Sequence, residues 1–272
     1  DIAIVTSTDA DHLDIYGEAE EVKKSFVEFV HKLQYNGIAI LNDQLDLKYE
    51  GNCIRYGLEA DSAANYSAIK IEDHHFCFDY RFKNNSARVL NALPGFHNIE
   101  NACAAITACL CLKLPLKPLL EAAANFKGVK RRFETIFSNE QYTVIDDYAH
   151  HPTELRVCIK SVKELYPNKK LTGIFQAHLF SRTRDFADDF AQALDLLDAC
   201  WLLDIYPARE LPIEGINSEF LALKMEKNPV LMAKESVLKN LQIEKPELLL
   251  ILGAGDIDQL LKPIKELYEK AN

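Results

Sequence analysis

The densest group of potentially reactive side chains lies between residues 146 and 152. Asp146 and Asp147 end an apolar, β-prone run, His150 and His151 follow after two residues, and Pro152 closes the group. Proline suits the first position of a helix, where its missing N–H costs nothing, so the pattern predicts a strand, a polar loop and a helix start. Open α/β sheets bind ligands at the carboxyl ends of their strands. These titratable groups are therefore candidates for a ligand site, and the alternative is a surface loop with a helix cap.

An acidic stretch after the first apolar run is a candidate metal site. Asp11, His12 and Asp14 follow the run 2–6, and carboxylates with an imidazole at a strand end can hold a divalent ion. Mg²⁺ prefers oxygen ligands, so His12 would be one ligand among several from elsewhere in the chain. A helix-capping acidic loop explains the same stretch equally well.

Two groups of arginines suit an anion. Arg131 and Arg132 lie in a run expected to join two domains, and the planar guanidinium matches phosphate oxygens. Ser181, Arg182 and Arg184 open a predicted helix directly after a strand, where free N–H groups add to the guanidinium charge. The alternatives are a solvated basic linker for the first group and, for Arg184, a surface pair with its neighbour.

Amides and glycines form two weaker candidates. Asn98 and Asn101, three residues apart on a predicted helix, point the same way, and two amides can read the donors and acceptors of a base. Helix capping by Asn98 is the alternative. Gly253 and Gly255 follow a predicted strand, but a lone Gly-x-Gly is weak evidence for a nucleotide site and more often forms a tight turn.

The elements that must position these residues divide near residues 126–133. In the first part, the apolar pattern predicts strands at 2–6 and 37–41, antiparallel strands at 52–58, 66–71 and 75–82, and helices at 18–33, 98–112 and 118–126. In the second part, it predicts strands at 133–137, 142–146, 171–175, 199–203 and 247–252, and helices at 153–165, 185–197, 218–227 and 256–270. Strands alternating with helices indicate βαβ units and a largely parallel sheet.

Composition narrows the class of protein. The 272 residues are 48% hydrophobic with a formal net charge of −10, which is typical of a soluble globular protein and disfavours a nucleic-acid or membrane-surface binder. The seven cysteines show no paired metal spacing, which favours reduced thiols in the cytosol. No transmembrane span or signal sequence is evident. Because the chain opens on a strand-like run without Met, we expect a piece of a longer protein.

Together these stretches resemble the Mur ligases, the ATP-dependent amide-forming ligases of bacterial peptidoglycan synthesis. The matching segments follow the family order and lie at residues 11–14, 95–101, 128–133, 146–153, 175–178, 182–184, 206–210 and 253–256. The resemblance implies that residues 1–127 are the second half of a central α/β ATPase domain with an antiparallel subsheet. It also implies that residues 128–272 are a Rossmann-like domain that receives the amino acid. The family's UDP-binding domain and its Gly-Lys-Thr/Ser phosphate loop are not found in the sequence, so we expect this chain alone to be inactive.

The resemblance also implies ligands and residue roles. It assigns His12 to a metal ion, Arg132 to the ATP phosphates and Asp147 to the ribose. Adenine would be contacted by His97, Asn98 and Asn101. The reacting phosphate, the muramate carboxylate or L-alanine would be met by Tyr148, His150 and Arg182. The implied cofactors are ATP with Mg²⁺ or Mn²⁺, and the implied substrates are UDP-N-acetylmuramate and L-alanine. A bacterial cytoplasmic enzyme without nucleic-acid or membrane partners is expected, and a homodimer stays open. Leu179 stands where the family commonly has Arg, which puts that position's share of substrate binding in doubt.

Three rival interpretations remain open. The tripeptide-adding recycling ligases share a similar loop at 146–152, although residues 206–210 and 182–184 favour the alanine-adding branch. Folylpolyglutamate synthetases share the Gly-x-His-x-x-Asn pattern at residues 95–101 in part, but not the His-His-Pro loop. A third interpretation is a binding fragment without catalytic activity.

Overall fold

A computed structural model describes residues 1–9, 18–72 and 75–270 of the chain. The chain divides into two compact units, Asp1–Lys127 and Gly128–Asn272. His12, the predicted metal ligand, lies outside the described residues with its acidic neighbours. Within the described ranges, no helix is both long and apolar enough to cross a bilayer.

The first unit is built on a six-stranded mixed sheet. Its strands are β1 (Ile2–Val5), β2 (Ile38–Asn42), β3 (Cys53–Gly57), β4 (Ala64–Glu72), β5 (His75–Phe82) and β6 (Asn85–Asn91), and they lie side by side in chain order. The first four strands pair in parallel, and β4, β5 and β6 pair antiparallel. The predicted α/β unit with an antiparallel subsheet is therefore confirmed.

Three helices accompany this sheet, namely α1 (Ala19–His31), α2 (Phe96–Cys111) and α3 (Leu116–Asn125). Helix α2 packs against β4 and β5 and buries Ile99, Cys103 and Ile106 on the face towards them. The spacing of these three residues is the i, i+4, i+7 repeat of an amphipathic helix. Consequently the start of α2 is held firmly by the sheet.

Two predictions for the first unit were wrong. The strand predicted at 52–58 as antiparallel is β3, which is parallel to both of its neighbours. Alternation along a strand reports which face is buried and carries no information on the direction of the neighbouring strand. Strand β6 was missed, because its sequence Asn-Ser-Ala-Arg-Val-Leu-Asn contains few β-branched residues and follows a two-residue turn.

The second unit is an almost entirely parallel sheet with helices on both faces. Its strands are β7 (Glu134–Ser138), β8 (Thr143–Asp147), β9 (Leu171–His178), β10 (Ala199–Tyr206), β11 (Val230–Met232) and β12 (Leu248–Leu252), arranged in the order β11-β10-β9-β12-β8-β7. Only β7 runs antiparallel to its neighbour among these strands. This Rossmann-like architecture confirms the predicted fold class.

The helices of this unit are α4 (Pro152–Leu165), α5 (Phe180–Asp185), α6 (Ala187–Leu194), α7 (Ser218–Ala222), α8 (Val237–Ile243) and α9 (Leu261–Glu269), with short 3₁₀ turns at Lys234–Ser236 and Asp256–Leu260. Ile174 packs with α8 and α9 on one face of the sheet. Its neighbour Phe175 points to the opposite face, where its ring lies 5.7 Å from that of Phe190 in α6. Strand β12 is buried along its whole length, as expected for a strand with parallel neighbours and helices on both faces.

Several predicted boundaries in this unit were displaced. The helix predicted at 185–197 is two helices, α5 and α6, which meet at Phe186, and the first of them begins five residues earlier. The helix predicted at 218–227 ends at Ala222, and the one predicted at 256–270 opens as a 3₁₀ turn. Strand β11 and helix α8 were missed. They are short, three and seven residues long, and their periodicity is too brief to detect.

Candidate active site

Four neighbouring parallel strands end at one edge of the second unit's sheet. Leu252 at the end of β12 pairs with Asp147 of β8 on one side and with Phe175 of β9 on the other. At the end of β9, His178 pairs with Tyr206 of β10. The segments after these strands carry most of the predicted site residues of this unit, so the sheet brings together groups that are distant in the chain, such as Arg131 and Gly253, which are 122 residues apart.

Asp147 organises the backbone around it. Its carboxylate accepts hydrogen bonds from the N–H of Phe133 at 2.7 Å and from the N–H of Ala149 at 2.8 Å. Burial raises the pKa of Asp147 to about 6, although these two hydrogen bonds oppose the shift. Each carboxylate oxygen has a second lone pair. Asp147 could therefore accept a further hydrogen bond while it holds these two backbone N–H groups. Its contact with a ribose stays a prediction.

Asp146 is a fully buried carboxylate beside an arginine. Its Oδ2 lies 3.3 Å from Nε of Arg131, and its Oδ1 has no hydrogen-bond partner among the described residues. Burial raises the pKa of Asp146 to about 7, and the neighbouring guanidinium limits the rise. Arg131 also donates from Nη2 to the carbonyl of Gly253, in the turn after β12.

The ring of Tyr148 lies close to both arginines of the basic run. The guanidinium carbon of Arg131 is 5.0 Å from the ring centroid and that of Arg132 is 5.6 Å from it. Arg132 is half exposed, and its Nη1 makes one long contact, of 3.5 Å, with Glu154. Of the two arginines, Arg132 is thus the more exposed, and its contact with the ATP phosphates stays a prediction.

The start of α4 fixes the two histidines. Pro152 is at the first helical position as predicted, and His151 is the cap residue, accepting the N–H of Thr153 on Nδ1 at 3.4 Å. Glu154 returns its Oε2 to the N–H groups of His150 at 3.0 Å and of His151 at 3.3 Å. This reciprocal capping box sets the path of the loop and therefore the placement of both imidazoles.

The hydrogen bonds of His150 select its tautomer. Nδ1 lies 3.0 Å from the carbonyl of Tyr148 and 3.3 Å from Oε2 of Glu154. A carbonyl can only accept, so Nδ1 carries the hydrogen, and in the neutral ring the lone pair is on Nε2. This tautomer is the one in which Nε2 could accept a proton, and the role of His150 stays a prediction.

A second histidine, not predicted as a site residue, extends this group of rings. The ring of His178 lies 6.2 Å from that of His150 and stacks at 5.6 Å on Tyr206. Burial and then the positive charge of Arg182 lower the pKa of His178 to about 4, so this ring is neutral at pH 7. Its Nδ1 is buried without a hydrogen-bond partner among the described residues.

The helix start that was predicted to bind an external anion already holds an internal one. Glu210 accepts the N–H of Ser181 at 2.9 Å and also its hydroxyl. Burial opposes ionisation of Glu210, but these hydrogen bonds outweigh it and lower its pKa. Arg182 is buried beside this carboxylate, whereas Arg184 is exposed and pairs with Asp185 at 2.7 Å. The anion expected at these N–H groups is therefore supplied by the protein itself.

In the first unit, the predicted adenine-contacting residues surround the start of α2. The helix begins at Phe96 after Gly95, so Asn98 is in the first turn and is not the cap residue. Asn98 is buried and donates from Nδ2 to the carbonyl of Pro94 at 2.7 Å, whereas Asn101 is exposed. His97 is partly buried in the same turn. The two amides were expected to point the same way, but Asn98 is buried and Asn101 is exposed. Their contact with adenine stays a prediction.

Comparison with known families agrees with both units. Residues 1–109 match the model of the Mur ligase middle domain, and residues 131–255 match the model described as the Mur ligase glutamate ligase domain. The chain belongs to the Mur ligase family. The two matched regions lie one in each unit, so the family assignment accounts for the whole architecture.

Two curated relatives of this Mur ligase chain carry the same enzyme name. It is 44% identical over 272 residues to a UDP-N-acetylmuramate–L-alanine ligase of Flavobacterium psychrophilum and 40% identical to the protein of that name in Flavobacterium johnsoniae. Each alignment covers 99% of this chain and 60% of the relative. The chain thus spans about three fifths of the length of the curated relatives it matches.

Solved Mur ligases share the fold of this chain. The UDP-N-acetylmuramate-alanine ligase of Thermotoga maritima superposes with a TM-score of 0.81 at 24% identity, covering 100% of this chain and 60% of that one. A MurF ligase of the same organism, solved in complex with ADP, gives a TM-score of 0.79 at 18% identity and covers 100% and 63% respectively.

The residues of this Mur ligase chain suit a nucleotide only in part. Arg132, half exposed, fits an anionic oxygen, and Asp147 has lone pairs left for a hydroxyl. For a metal ion, the described residues contain no group of three His, Cys, Asp or Glu side chains placed to hold one, and His12 lies outside them.

Three residues of this edge were not predicted. Glu154 could have been predicted, because a glutamate three residues after the cap residue indicates a capping box. The pattern was overlooked because the cap residue here is a histidine and not the usual Ser or Thr. His178 and Glu210 lie in the matching segments 175–178 and 206–210, but their contacts depend on elements distant in sequence, which periodicity does not reveal.

Proposed function

We propose that this chain forms part of an ATP-dependent ligase that joins L-alanine to UDP-N-acetylmuramate in peptidoglycan precursor synthesis in the bacterial cytoplasm. The observation that carries the proposal is the 44% identity over 99% of the chain to a relative with that name. In the proposed reaction, ATP phosphorylates the muramate carboxylate, the amine of L-alanine attacks the acyl phosphate, and inorganic phosphate leaves. Atoms and charge balance when the amine gives up its proton.

The protein's part in such a reaction is mostly positioning and charge neutralisation. We assign Arg132 to the ATP phosphates because its guanidinium is half exposed and matches phosphate geometry. Asp147 is assigned to the ribose, His97, Asn98 and Asn101 to adenine, and His12 to a Mg²⁺ or Mn²⁺ ion that would neutralise phosphate charge. These roles are carried over from the family pattern, position by position.

Removal of the proton from the amine is assigned to His150. Its Nδ1 hydrogen is held by the carbonyl of Tyr148, so in the neutral ring the lone pair is on Nε2. The neighbouring His178 is neutral at pH 7 because its pKa is lowered to about 4, so it adds no charge that would oppose protonation of His150. Tyr148 and Arg182 complete the group proposed to face the reacting phosphate, the muramate carboxylate or the amino acid.

A murein tripeptide recycling ligase is the second candidate, since its loop resembles residues 146–152. A murein peptide ligase from Psychrobacter arcticus also shares the fold, with a TM-score of 0.62 at 22% identity. The two candidates differ in the amine-bearing or peptide substrate that they accept. They are therefore separated by substrate and not by architecture.

The test is phosphate release by the complete enzyme, meaning the longer polypeptide that this proposal requires. With ATP, Mg²⁺ and UDP-N-acetylmuramate, we expect release that depends on L-alanine and that a tripeptide does not replace. Tripeptide-dependent release without a response to L-alanine would establish the second candidate instead. Residues 1–272 alone should release none, because they contain no loop of the Gly-Lys-Thr type to hold the β- and γ-phosphates. Alanine-dependent release by residues 1–272 alone would contradict that expectation.

A further inference from the structure

Arg131 and Arg132 are adjacent in sequence but have different surroundings. The Arg132 side chain is 50% exposed, whereas that of Arg131 is 17% exposed. Arg131 also has a positive φ of 61°, a conformation that costs a non-glycine residue free energy. The contacts of the Arg131 side chain explain why this residue is held in a strained and mostly buried conformation.

The guanidinium of Arg131 joins three segments of the second unit. Its Nε lies 3.3 Å from the buried carboxylate of Asp146 at the end of β8, and its Nη2 donates to the carbonyl of Gly253 after β12. Its Nη1 is 3.9 Å from Asp258 in the following 3₁₀ turn. Nε and Nη2 are therefore occupied within the protein, and the side chain is only 17% exposed, so Arg131 is less accessible to a phosphate than Arg132.

The same guanidinium also fixes the ring of Tyr148. It lies 5.0 Å from the ring centroid, and the carbonyl of Arg131 accepts the N–H of Tyr148 at 2.6 Å. The Tyr148 ring in turn meets the ring of His150 edge-on, with centroids 5.3 Å apart. A chain of direct contacts therefore runs from Asp146 through Arg131 and Tyr148 to His150.

We propose that Arg131 and Asp146 are a positioning pair that holds the Tyr148 ring against His150, and that Arg131 does not bind phosphate. The proposal rests on the proposed function, in which Tyr148 and His150 face the reacting groups. It separates the two adjacent arginines by task, since Arg132 serves the nucleotide and Arg131 serves the group that handles the amine.

The variants must separate positioning from simple neutralisation of a buried charge. Arg131→Met alone leaves Asp146 buried without its cation and is expected to destabilise the fold. The double variant Arg131→Met with Asp146→Asn removes both charges and should recover the thermal midpoint. Arg132→Met, at the next residue, is the matched control for a phosphate-binding arginine.

The first measurement needs no activity and uses residues 1–272. In protein labelled with ¹³C-tyrosine, the ring signals of Tyr148 are assigned by their loss in Tyr148→Phe. We expect these signals to move in the double variant, because the nearer of the two guanidinium groups over the ring is gone while that of Arg132 stays. Unchanged Tyr148 signals in a folded double variant would overturn the proposal, whether or not the proposed reaction is found.

The second measurement is steady-state kinetics of the complete enzyme. The double variant should have kcat lowered by about tenfold, which corresponds to a rise of about 1.4 kcal/mol in the activation free energy. Its KM for ATP should stay within about twofold of wild type. Arg132→Met should instead raise KM for ATP. A double variant with wild-type kcat would show that the pair is only structural, and a raised KM for ATP would show that Arg131 binds phosphate. Inactivity of the wild type with these substrates would count against the proposed function alone.

Discussion

Replacing Gly253 by alanine should be among the most damaging single changes in the second unit. Gly253 follows β12 with φ of 139°, a region that only glycine enters readily. A Cβ built there would lie 2.6 Å from the backbone oxygen of Gln176 in β9. Because that oxygen belongs to the backbone of a buried strand, it cannot rotate out of the way, and the turn itself must move.

The size of the effect follows from the contacts of this turn. The backbone conformation alone costs an alanine about 1–3 kcal/mol. Moving the turn also weakens the hydrogen bond from Arg131 to the Gly253 carbonyl, and a bond from a charged donor is worth about 1.5–3 kcal/mol. Together these give a loss of about 3–5 kcal/mol in the free energy of unfolding.

Gly215 provides the matched control. It also has a positive φ, of 78°, but a Cβ there would meet nothing within 4 Å. Gly215→Ala should therefore cost only the left-handed backbone penalty of about 1–2 kcal/mol. The difference between the two variants therefore reports what is particular to the Gly253 turn, namely its backbone angle, the close approach to Gln176 and the hydrogen bond from Arg131.

Urea unfolding followed by tryptophan fluorescence measures both variants. The chain has one tryptophan, Trp201, which is buried in β10 of the same unit, so its signal reports on the second unit. With a slope of about 2 kcal/mol per molar urea, Gly253→Ala should lower the midpoint by about 1.5–2.5 M. A loss no greater than that of Gly215→Ala would refute the reasoning.

Three further predictions concern charged groups of the same unit. Burial raises the pKa of Asp146 to about 7, so the folded state keeps a proton that the unfolded state releases, and this group's contribution to stability is lost as pH rises from about 4 to 7. Urea titrations across that range should show a flatter pH dependence for Asp146→Asn than for wild type, whereas Asp204→Asn, at an exposed position, should leave the profile unchanged. In the complete enzyme, Asp147→Asn should raise KM for ATP with less effect on L-alanine, because each charge-assisted bond lost is worth about 1.5–3 kcal/mol. Arg182→Lys should lower kcat/KM for L-alanine or the muramate, since an ammonium does not reproduce the planar fork, whereas Arg184→Lys, at an exposed pair, should have little effect.

Each of these has a contrary outcome. Parallel pH profiles for wild type and Asp146→Asn would mean that Asp146 ionises normally in the folded state. Unchanged ATP dependence in Asp147→Asn would restrict that carboxylate to its two backbone partners. Equal and small effects of Arg182→Lys and Arg184→Lys would reduce the start of α5 to a structural turn.

The parts of the site that were predictable rest on local chemistry. An apolar run before Asp146 and a proline at position 152 are enough to place a strand, a loop and a helix start, because each signal acts within a few residues. Strand β12, five apolar residues in a row, is equally plain. These local signals predicted that the candidate groups follow the carboxyl ends of strands, and the structure has them there.

The parts that were missed depend on contacts distant in sequence or on backbone geometry. Helix α5 starts early because Leu179 takes a positive φ of 75°, with its N–H bound to the carbonyl of Tyr206, and no propensity predicts that conformation for leucine. Glu210 reaches Ser181 across 29 residues. Asn98 resembles a helix cap in sequence, but Gly95 ends the preceding loop first.

The position of β12 in the sheet has a consequence for how the second unit forms. This strand lies between β8 and β9, yet it is made about 70 residues after β9. As the chain is synthesised from its N-terminus, β8 and β9 exist for a time as two unpaired strand edges with an open slot between them. Closing that slot is a long-range event and is slow for that reason. Until it happens, the two nascent edges are open to pairing with other chains, which is a route to aggregation during synthesis.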